Sequence, residues 1–234
     1  MNTSSLFPLI FLLLLGACGP EKPKAPEQPA QTEVPLPVEE PTTDTIQQPT
    51  TELDTTQWID LQWLDPSIMK DIRYATSNNF VKEQLYECPR CLLRPEVAYR
   101  MVSAQRELQQ KGLGLKVFDC YRPRPVQEKL WEKVPDARYV TPPSKGSMHN
   151  RGSAVDLTIV DQDGKELDMG TDYDYFGREA YHDYTDLDST VLANRRLLKE
   201  TMATIELSPI RTEWWHYSYR GKSYPLADML WECK

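Results

Sequence analysis

Apolar residues recur at helical spacing in the middle of the chain. Four of them follow Pro95 and lie three or four residues apart from one another: Val97, Met101, Ala104 and Leu108. Proline suits the first turn of a helix and glycine suits its end, so we predict a helix over 95–111 that stops at Gly112. The apolar run 115–118 predicts a strand after it, and 124–134 predicts a second, shorter helix.

The segment Ala154–Val160 alternates as a strand does. One face of that strand would be wholly apolar, whereas the other would carry the polar Asp156 and Thr158. The turn-forming sequence 161–164 predicts a hairpin directly after it. Further along, Ser189 suits the N-cap of a helix that runs to about residue 206. The aromatic segment 213–219 predicts a last strand.

These elements indicate a fold class. Helices and strands do not alternate regularly, and a hairpin is predicted among them. We therefore expect an α+β fold, a single domain with a central antiparallel sheet flanked by helices. Residues 57–234 form that domain, since they hold every tryptophan and tyrosine of the chain and are long enough to bury a full core.

The start of the chain indicates export. Residues 9–15 are an unbroken apolar run, too short to span a bilayer, and Gly16-Ala17-Cys18 follows. This pattern is typical of a bacterial lipoprotein signal, so we expect residues 1–17 to be removed and the sulfur of Cys18 to carry lipid. The alternative is an ordinary signal peptide with an incidental cysteine, because no Lys or Arg precedes the apolar run.

Residues 18–56 are expected to form a lipidated cysteine and a tether. The segment is rich in Pro, Glu, Thr and Gln and has no aromatic residue. It cannot bury enough apolar surface to offset the entropy of the chain, so we expect it to be disordered. The domain would then be anchored to a bacterial membrane, either in the periplasm or at the outer membrane.

Charge and cysteine content narrow the class of protein. A formal net charge of −8, with no basic run, argues against a nucleic-acid partner. Besides Cys18 there are four cysteines, which favours disulfides in one of three connectivities. We favour Cys91 with Cys120, since the predicted helix connects their two segments, although the other pairings stay open. A zinc knuckle at Cys88-x-x-Cys91 is a weaker alternative, because no second pair or nearby histidine supports it.

Two of the three histidines stand in sequences that suit a metal site. Catalytic zinc takes three nitrogen or oxygen ligands and keeps one position open for water. Asp156 is a carboxylate on a largely apolar strand, His149 lies seven residues earlier, and Gly152 can turn the chain between them. Glu213 and His216 would face opposite sides of a regular strand, so their convergence requires a bulge, bend or strand end. The alternative is a salt bridge for Asp156 and aromatic packing for His216.

These residues belong to a longer set of motifs. The pattern S-x-H-x-x-G-x-A-x-D over 147–156, followed by E-x-x-H over 213–216, resembles the D-Ala-D-Ala dipeptidases, the vancomycin-resistance type within the zinc D,D-peptidase family. Further motifs carry the same resemblance: 71–76, 79–80, 118–123, 169–170, 173–175 and 194–196. The resemblance covers roughly 58–230. The chain departs from the family at its cysteines, its leader and Met148.

The resemblance implies a D,D-peptidase or hedgehog-like fold with one zinc ion per chain on the sheet, held by His149, Asp156 and His216. It implies Glu213 as the general base and Arg122 as the group that stabilises the transition state by electrostatics. It also places three residues at the substrate: Asp174 near its ammonium group, Ser147 and Tyr74. The implied reaction is hydrolysis of the D-Ala-D-Ala dipeptide by a water molecule that the metal activates.

Several alternatives stay open at this point. The chain could be a D,D-carboxypeptidase or a peptidoglycan endopeptidase of the same family, a non-catalytic wall-binding lipoprotein, or a zinc-free structural protein. Arg122 could be a structural salt-bridge residue, and Asp174 a turn residue. His182 matches no motif, and we expect it at the surface or behind the site.

Overall fold

The computed structural model describes residues 58–231 and 233, which belong to one compact unit. The helices are α1 (Leu61–Leu64), α2 (Pro95–Gln109), α3 (Arg124–Lys133) and α4 (Ser189–Thr204). The strands are β1 (Ile59–Asp60), β2 (Met69–Lys70), β3 (Leu92–Leu93), β4 (Gly114–Asp119), β5 (Ala154–Val160), β6 (Leu207–Ile210) and β7 (Glu213–Tyr219). Short 3-10 turns occur at Arg73–Ala75, His149–Arg151 and Arg178–Ala180.

Five of these strands form one sheet, in the order β2-β4-β5-β7-β6. The pairs β4–β5, β5–β7 and β6–β7 are antiparallel, as expected. The prediction of a wholly antiparallel sheet is wrong at one edge, because β2 pairs with β4 in parallel. The chain that connects β2 to β4 includes α2. It brings the start of β4 back to the same end of the sheet at which β2 starts, and a parallel pair requires such a crossover. The α+β sheet is therefore mixed.

The predicted helices form, with small differences at their ends. α2 ends at Gln109, and Gly112 follows in the left-handed conformation that commonly ends a helix, with φ +70°. α4 starts at the expected place, but the cap is Asp188, whose side chain accepts a hydrogen bond from the N–H of Thr190. The prediction of Ser189 as the cap was wrong by one residue.

The central strand β5 is buried along its whole length. Its apolar face belongs to one core cluster with α2 and α4, which includes Val155, Leu157, Ile159, Met101, Leu108, Leu198 and Met202. Burying each such side chain stabilises the fold by about 1.5–3 kcal/mol. After β5 the predicted hairpin is present only as a single bridge between Val160 and Glu166. Because the apolar face of β5 packs in this core, its opposite face is the one that can carry polar residues of a site.

Two disulfides connect the loops to the sheet. Cys91 is bonded to Cys120, which confirms the favoured pairing and joins the start of β3 to the end of β4. Cys88 is bonded to Cys233, so the C-terminal segment is tied to the same loop and Cys88-x-x-Cys91 is not a zinc knuckle. The separation of 29 residues between Cys91 and Cys120 corresponds to about 3–4 kcal/mol of stabilisation by chain entropy.

The predictions for the start of the chain lie outside the described residues. They are the signal at 1–17, the lipidated Cys18 and the tether at 18–56. Among the helices of residues 58–231, none combines the length and the apolar character that crossing a bilayer requires.

Candidate metal centre

Three adjacent strands carry acidic and imidazole side chains at matching positions. Asp156 of β5 pairs with Asp119 of β4 on one side and with His216 of β7 on the other. Directly opposed residues of neighbouring strands project from the same face, with Cβ atoms about 4.5–5.5 Å apart. The register of the sheet therefore places three polar residues that are distant in sequence in one row.

His149 reaches this row from the 3-10 turn that precedes β5. The chain reverses into the strand at Gly152, whose φ is +67°. A Cβ atom there would lie 2.1 Å from the ring of Trp58, so both the conformation and the close approach require glycine. Arg94 holds the turn from a neighbouring segment, since its Nε donates a hydrogen bond to the carbonyl of Arg151 at 3.0 Å. The expected turn after His149 is confirmed.

The three predicted ligands direct their donor atoms at one point. Nε2 of His149 lies 3.1 Å from Nδ1 of His216 and 3.2 Å from Oδ1 of Asp156. Nδ1 of His216 lies 2.9 Å from the same oxygen. Tetrahedral ligands at about 2.0–2.1 Å from zinc are separated by roughly 3.3 Å, so this donor set fits zinc with little movement. All three residues are buried.

Two of the three predicted ligands, His149 and Asp156, are oriented by a second contact. Nδ1 of His149 donates a hydrogen bond to the carbonyl oxygen of Cys120 at 2.7 Å, which leaves a lone pair on Nε2 for a metal. The hydroxyl of Tyr173 donates to Oδ2 of Asp156 at 3.0 Å, which leaves Oδ1 for the same purpose. Such outer contacts fix ring orientation and tautomer at metal sites.

Electrostatics favour an ionised carboxylate at the centre of this row. Burial favours the neutral form of Asp156, but the facing imidazoles, His149 foremost, hold the pKa of its carboxyl below the ordinary value. Burial would lower the pKa of His149, yet the Asp156 carboxylate outweighs it and raises that pKa. An ionised carboxylate beside two imidazoles is a ligand set that zinc accepts.

Strand β7 bulges between Glu213 and His216, as predicted. Against β6, Tyr217 pairs with Pro209 and Glu213 pairs with Ile210, so four steps along β7 match one step along β6. The extra residues rotate the chain, and Glu213 lines the same cavity as His216. Burial raises the pKa of Glu213 to about 7. A carboxylate with a pKa near neutrality suits the role of a general base.

Arg122 is buried and oriented by its neighbours. Its Nε and Nη2 donate to Oδ2 of Asp119 at 3.0 and 2.7 Å, and Nη1 donates to Oε1 of Gln127 at 3.0 Å. Its guanidinium also lies over the ring of Tyr74, 5.0 Å from the centroid. Burial would lower the pKa of Arg122, but the Asp119 carboxylate outweighs it and raises that pKa. Arg122 is therefore both a salt-bridge residue and part of the cavity wall.

Asp174 faces the cavity from a strained turn. Its φ is +59°, a left-handed conformation that is uncommon for residues other than glycine. The hydroxyl of Tyr74 donates to its Oδ2 at 3.1 Å. Burial, followed by the charge of Asp156, raises the pKa of Asp174 well above its ordinary value. A cation bound beside this carboxyl would favour its ionised form, so a turn residue can also receive an ammonium group.

One cavity of about 240 Å³ brings all the predicted residues together. The residues are Tyr74, Arg122, Ser147, His149, Asp156, Asp174, Glu213 and His216. Three aromatic rings form another part of the wall, because Phe176 stacks on Tyr139 at 4.5 Å and meets Phe80 edge-on at 5.0 Å. Pockets for drug-sized ligands measure about 300–1,000 Å³, so this cavity suits a smaller molecule.

Sequence reasoning missed the residues that hold the site in position. Asp119 is fully buried, and the hydroxyl of Tyr86 donates to its Oδ1 at 2.8 Å. Its spacing of three residues from Arg122 is the signal that could have identified the pair. The hydrogen bond from Tyr173 to Asp156 has no comparable signal in the sequence. His182 does not line the cavity, and its partly buried ring lies 6.0 Å from that of Tyr217, consistent with the expectation.

Comparison with known proteins identifies relatives along most of the chain. A family model described as D-ala-D-ala dipeptidase matches residues 54–231. The D-alanyl-D-alanine dipeptidase of Escherichia coli is 33% identical over 181 residues, which cover 77% of this chain and 94% of that protein. A protein of the same name from Enterococcus faecalis is 30% identical over 179 residues, which cover 66% of this chain and 87% of that protein.

Similar solved structures carry related names. A vancomycin-resistance D,D-pentapeptidase in complex with Zn(II) shares 16% identity at a TM-score of 0.37, over 55% of this chain and 73% of that one. A vancomycin-resistance D,D-dipeptidase in complex with a D-Ala-D-Ala phosphinate analogue shares 16% identity at a TM-score of 0.33, over 57% and 52%. From the extent of the family match and the identity to the curated relatives, the chain belongs to the D-ala-D-ala dipeptidase family.

Proposed function

We propose that this chain is a zinc-dependent dipeptidase that hydrolyses D-Ala-D-Ala. The observation that carries the proposal is the placement of three converging metal donors, Glu213 and Arg122 around one small cavity. The names of the curated relatives support the same substrate. The reaction is the addition of water to the peptide carbonyl, after which the bond to the leaving amine breaks.

One Zn²⁺ per chain would be held by His149, Asp156 and His216. The separations of 2.9–3.2 Å between their donor atoms support this assignment. When bound, zinc supplies a Lewis acid that acidifies water and polarises a carbonyl. Three protein ligands are the number found at catalytic zinc sites, which keep a further position open.

Glu213 takes the proton of the attacking water. Its half-buried carboxylate lines the cavity beside His216, and a pKa of about 7 leaves it able to accept a proton and to release it again. The accepted proton then passes to the nitrogen of the leaving D-alanine. One residue therefore serves first as base and then as acid.

Arg122 stabilises the negative charge that develops on the carbonyl oxygen. A guanidinium has five N–H donors, of which three are engaged by Asp119 and Gln127. The other two, one on Nη1 and one on Nη2, have no hydrogen-bond partner among residues 58–231 and 233, and Arg122 lines the cavity. Because the engaged donors hold the group rigidly, little reorganisation is needed as the charge forms.

Asp174 would receive the ammonium group of the substrate. Its carboxyl faces the cavity and is fixed by the hydroxyl of Tyr74. An acid at that place selects a peptide with a free amino end. Ser147, on the loop before the metal-bearing turn, would contact the substrate from another wall of the same cavity.

We further propose that the enzyme works outside the cytoplasm, anchored to a bacterial membrane by lipid on Cys18. The two disulfides within residues 58–231 and 233 support an oxidising compartment. The apolar run before Cys18 and the tether at 18–56 support export and anchoring.

A substrate panel tests the proposed reaction. Zinc-loaded protein is incubated with D-Ala-D-Ala, L-Ala-L-Ala, N-acetyl-D-Ala-D-Ala and a muropeptide that ends in D-Ala-D-Ala. We expect only the free D,D-dipeptide to be hydrolysed at a substantial rate. Cleavage of the muropeptide without cleavage of the dipeptide would instead identify a D,D-carboxypeptidase or endopeptidase. No cleavage of any member by folded, zinc-loaded protein would favour a wall-binding role.

A further inference from the structure

Two arginines line the cavity, and they differ in their surroundings. Arg122 is buried, and the carboxylate of Asp119 balances its charge. Arg220 is exposed and lies directly after β7, on the opposite side of His216 from Glu213. Within residues 58–231 and 233, no ion pair or hydrogen bond engages its guanidinium. Arg220 is therefore a cation at the cavity wall whose charge is not matched by a described neighbour.

The same cavity is also lined by a hydroxyl donor, Ser147. The N–H of Ser147 donates to Oδ1 of Asn150 at 2.7 Å, and the N–H of Asn150 donates to Oγ of Ser147 at 3.3 Å. The Ser147 hydroxyl therefore uses its oxygen as an acceptor and keeps its proton for another partner. Both Ser147 and Arg220 line the cavity, so a ligand there can meet a hydroxyl and a guanidinium together.

The charges of the cavity follow an order along β7. At the Glu213 end lies Asp174, because the residues directly after it, Tyr175 and Phe176, line a small neighbouring cavity together with Glu213. At the other end lies Arg220, with His216 between them. A free dipeptide carries an ammonium at one end and a carboxylate at the other, with the scissile bond between. Its charges match this order when the ammonium lies at Asp174.

We propose that Arg220 binds the C-terminal carboxylate of the dipeptide and so sets the length of the substrate. This inference rests on the proposed function, because it takes the scissile bond to lie at the His149, Asp156 and His216 site. A bidentate, charge-assisted bond between guanidinium and carboxylate is among the stronger polar contacts and is specific in its geometry. A peptide that continues past the second residue has an amide instead and loses this contact.

The test compares the acid D-Ala-D-Ala with D-Ala-D-alaninamide on three variants. Arg220→Met removes the charge at nearly constant length, and Arg220→Lys keeps the charge without the planar fork. Arg211→Met is the matched control, since Arg211 is an exposed arginine in the turn before β7 that pairs with Asp183 away from the cavity. Zinc content and melting temperature are measured for each.

We expect Arg220→Met to raise KM for the acid by about 2- to 5-fold with kcat nearly unchanged, as the loss of a solvent-accessible charge-assisted contact predicts. Turnover of the amide should not change, so the preference for the acid disappears. Arg220→Lys should retain much of the preference, and Arg211→Met should behave as wild type.

Two results would overturn the inference. Equal losses on acid and amide, or an unchanged KM for the acid, would show that Arg220 does not bind the carboxylate although the enzyme is a dipeptidase. Failure of the zinc-loaded wild type to cleave either compound would overturn the proposed function, and this inference with it.

Discussion

The carbonyl oxygen of Cys120 lies 2.7 Å from Nδ1 of His149, so a disulfide-bonded residue sets the tautomer of a predicted metal ligand. A carbonyl oxygen can only accept, so the proton of His149 must sit on Nδ1. The backbone N–H of Arg122 in turn donates to the carbonyl of His149 at 3.1 Å. The Cys91–Cys120 bond thus supports both the metal site and the segment that carries Arg122.

Removal of this disulfide should weaken zinc binding. In a Cys91→Ala, Cys120→Ala variant the carbonyl is still present but less firmly placed, and we expect the Kd for zinc to rise by up to about tenfold. Competition with a chelator measures the change. The matched control is Cys88→Ala with Cys233→Ala, whose separation of 145 residues gives an entropic stabilisation of about 5 kcal/mol. The control should lose stability but not zinc affinity, and equal zinc affinities in the two variants would contradict the supporting role.

His216→Ala should abolish stoichiometric zinc binding, because it removes one of three converging donors. His182→Ala serves as the control, since His182 is the remaining histidine of the chain and does not line the cavity. Elemental analysis of both purified variants measures the number of zinc ions bound per chain. Unchanged zinc in His216→Ala would show that the ligand set is wrong.

Glu213→Gln should keep zinc but lose turnover by about three orders of magnitude or more, because an amide cannot accept the proton of the attacking water. Glu166→Gln is a suitable control, since Glu166 pairs with Lys116 away from the cavity. Steady-state kinetics on D-Ala-D-Ala measure the loss. A folded, zinc-loaded Glu213→Gln protein with near-normal activity would remove Glu213 from the role of base.

His182 should make the stability of the protein depend on pH. Burial, with the charges of Lys199 and Arg195, lowers the pKa of His182 to about 4 in the folded state. Between that value and about 6.5 the unfolded chain binds more protons, so the free energy of unfolding falls as pH decreases through this window. We expect a loss of about 1–2 kcal/mol from pH 7 to pH 5 that is absent in His182→Gln. Urea unfolding at both pH values tests this, and equal losses in the two proteins would refute it.

Cys18→Ser should leave the exported protein without lipid. The wild type should sediment with membranes and carry added mass at Cys18, since a lipidated cysteine after an apolar run anchors a chain. Mass spectrometry and membrane fractionation measure both properties. Mature wild-type protein in the soluble fraction, with no added mass, would contradict the anchor.

The sequence indicated which residues line the cavity, but it did not indicate the contacts that hold those residues in position. His149, Asp156, Glu213 and His216 were predicted because their residue types suit a metal site and because their motifs resemble those of the D-Ala-D-Ala dipeptidases. The carbonyl of Cys120 has no side-chain signature, and the contact of Tyr173 with Asp156 depends on folding of a distant loop. Such contacts arise only when the chain is packed.

The errors in the fold have similar physical origins. β2 was not predicted, because it is two exposed residues long and has too little pattern to detect. Its parallel pairing follows from the path of α2 rather than from any residue in it. The cap of α4 is Asp188 and not the predicted Ser189. Aspartate and serine are about equally good caps, so the local chain geometry decides between them.

Trp58 limits how the domain can be separated from the segment before it. Its ring lies against Gly152, 4.2 Å from the ring of Tyr121 and 3.9 Å from the guanidinium carbon of Arg94. A truncated version that starts after Trp58 would loosen the turn that bears His149 while keeping every ligand. We therefore expect the retention of zinc by a shortened chain to depend on whether that chain includes Trp58.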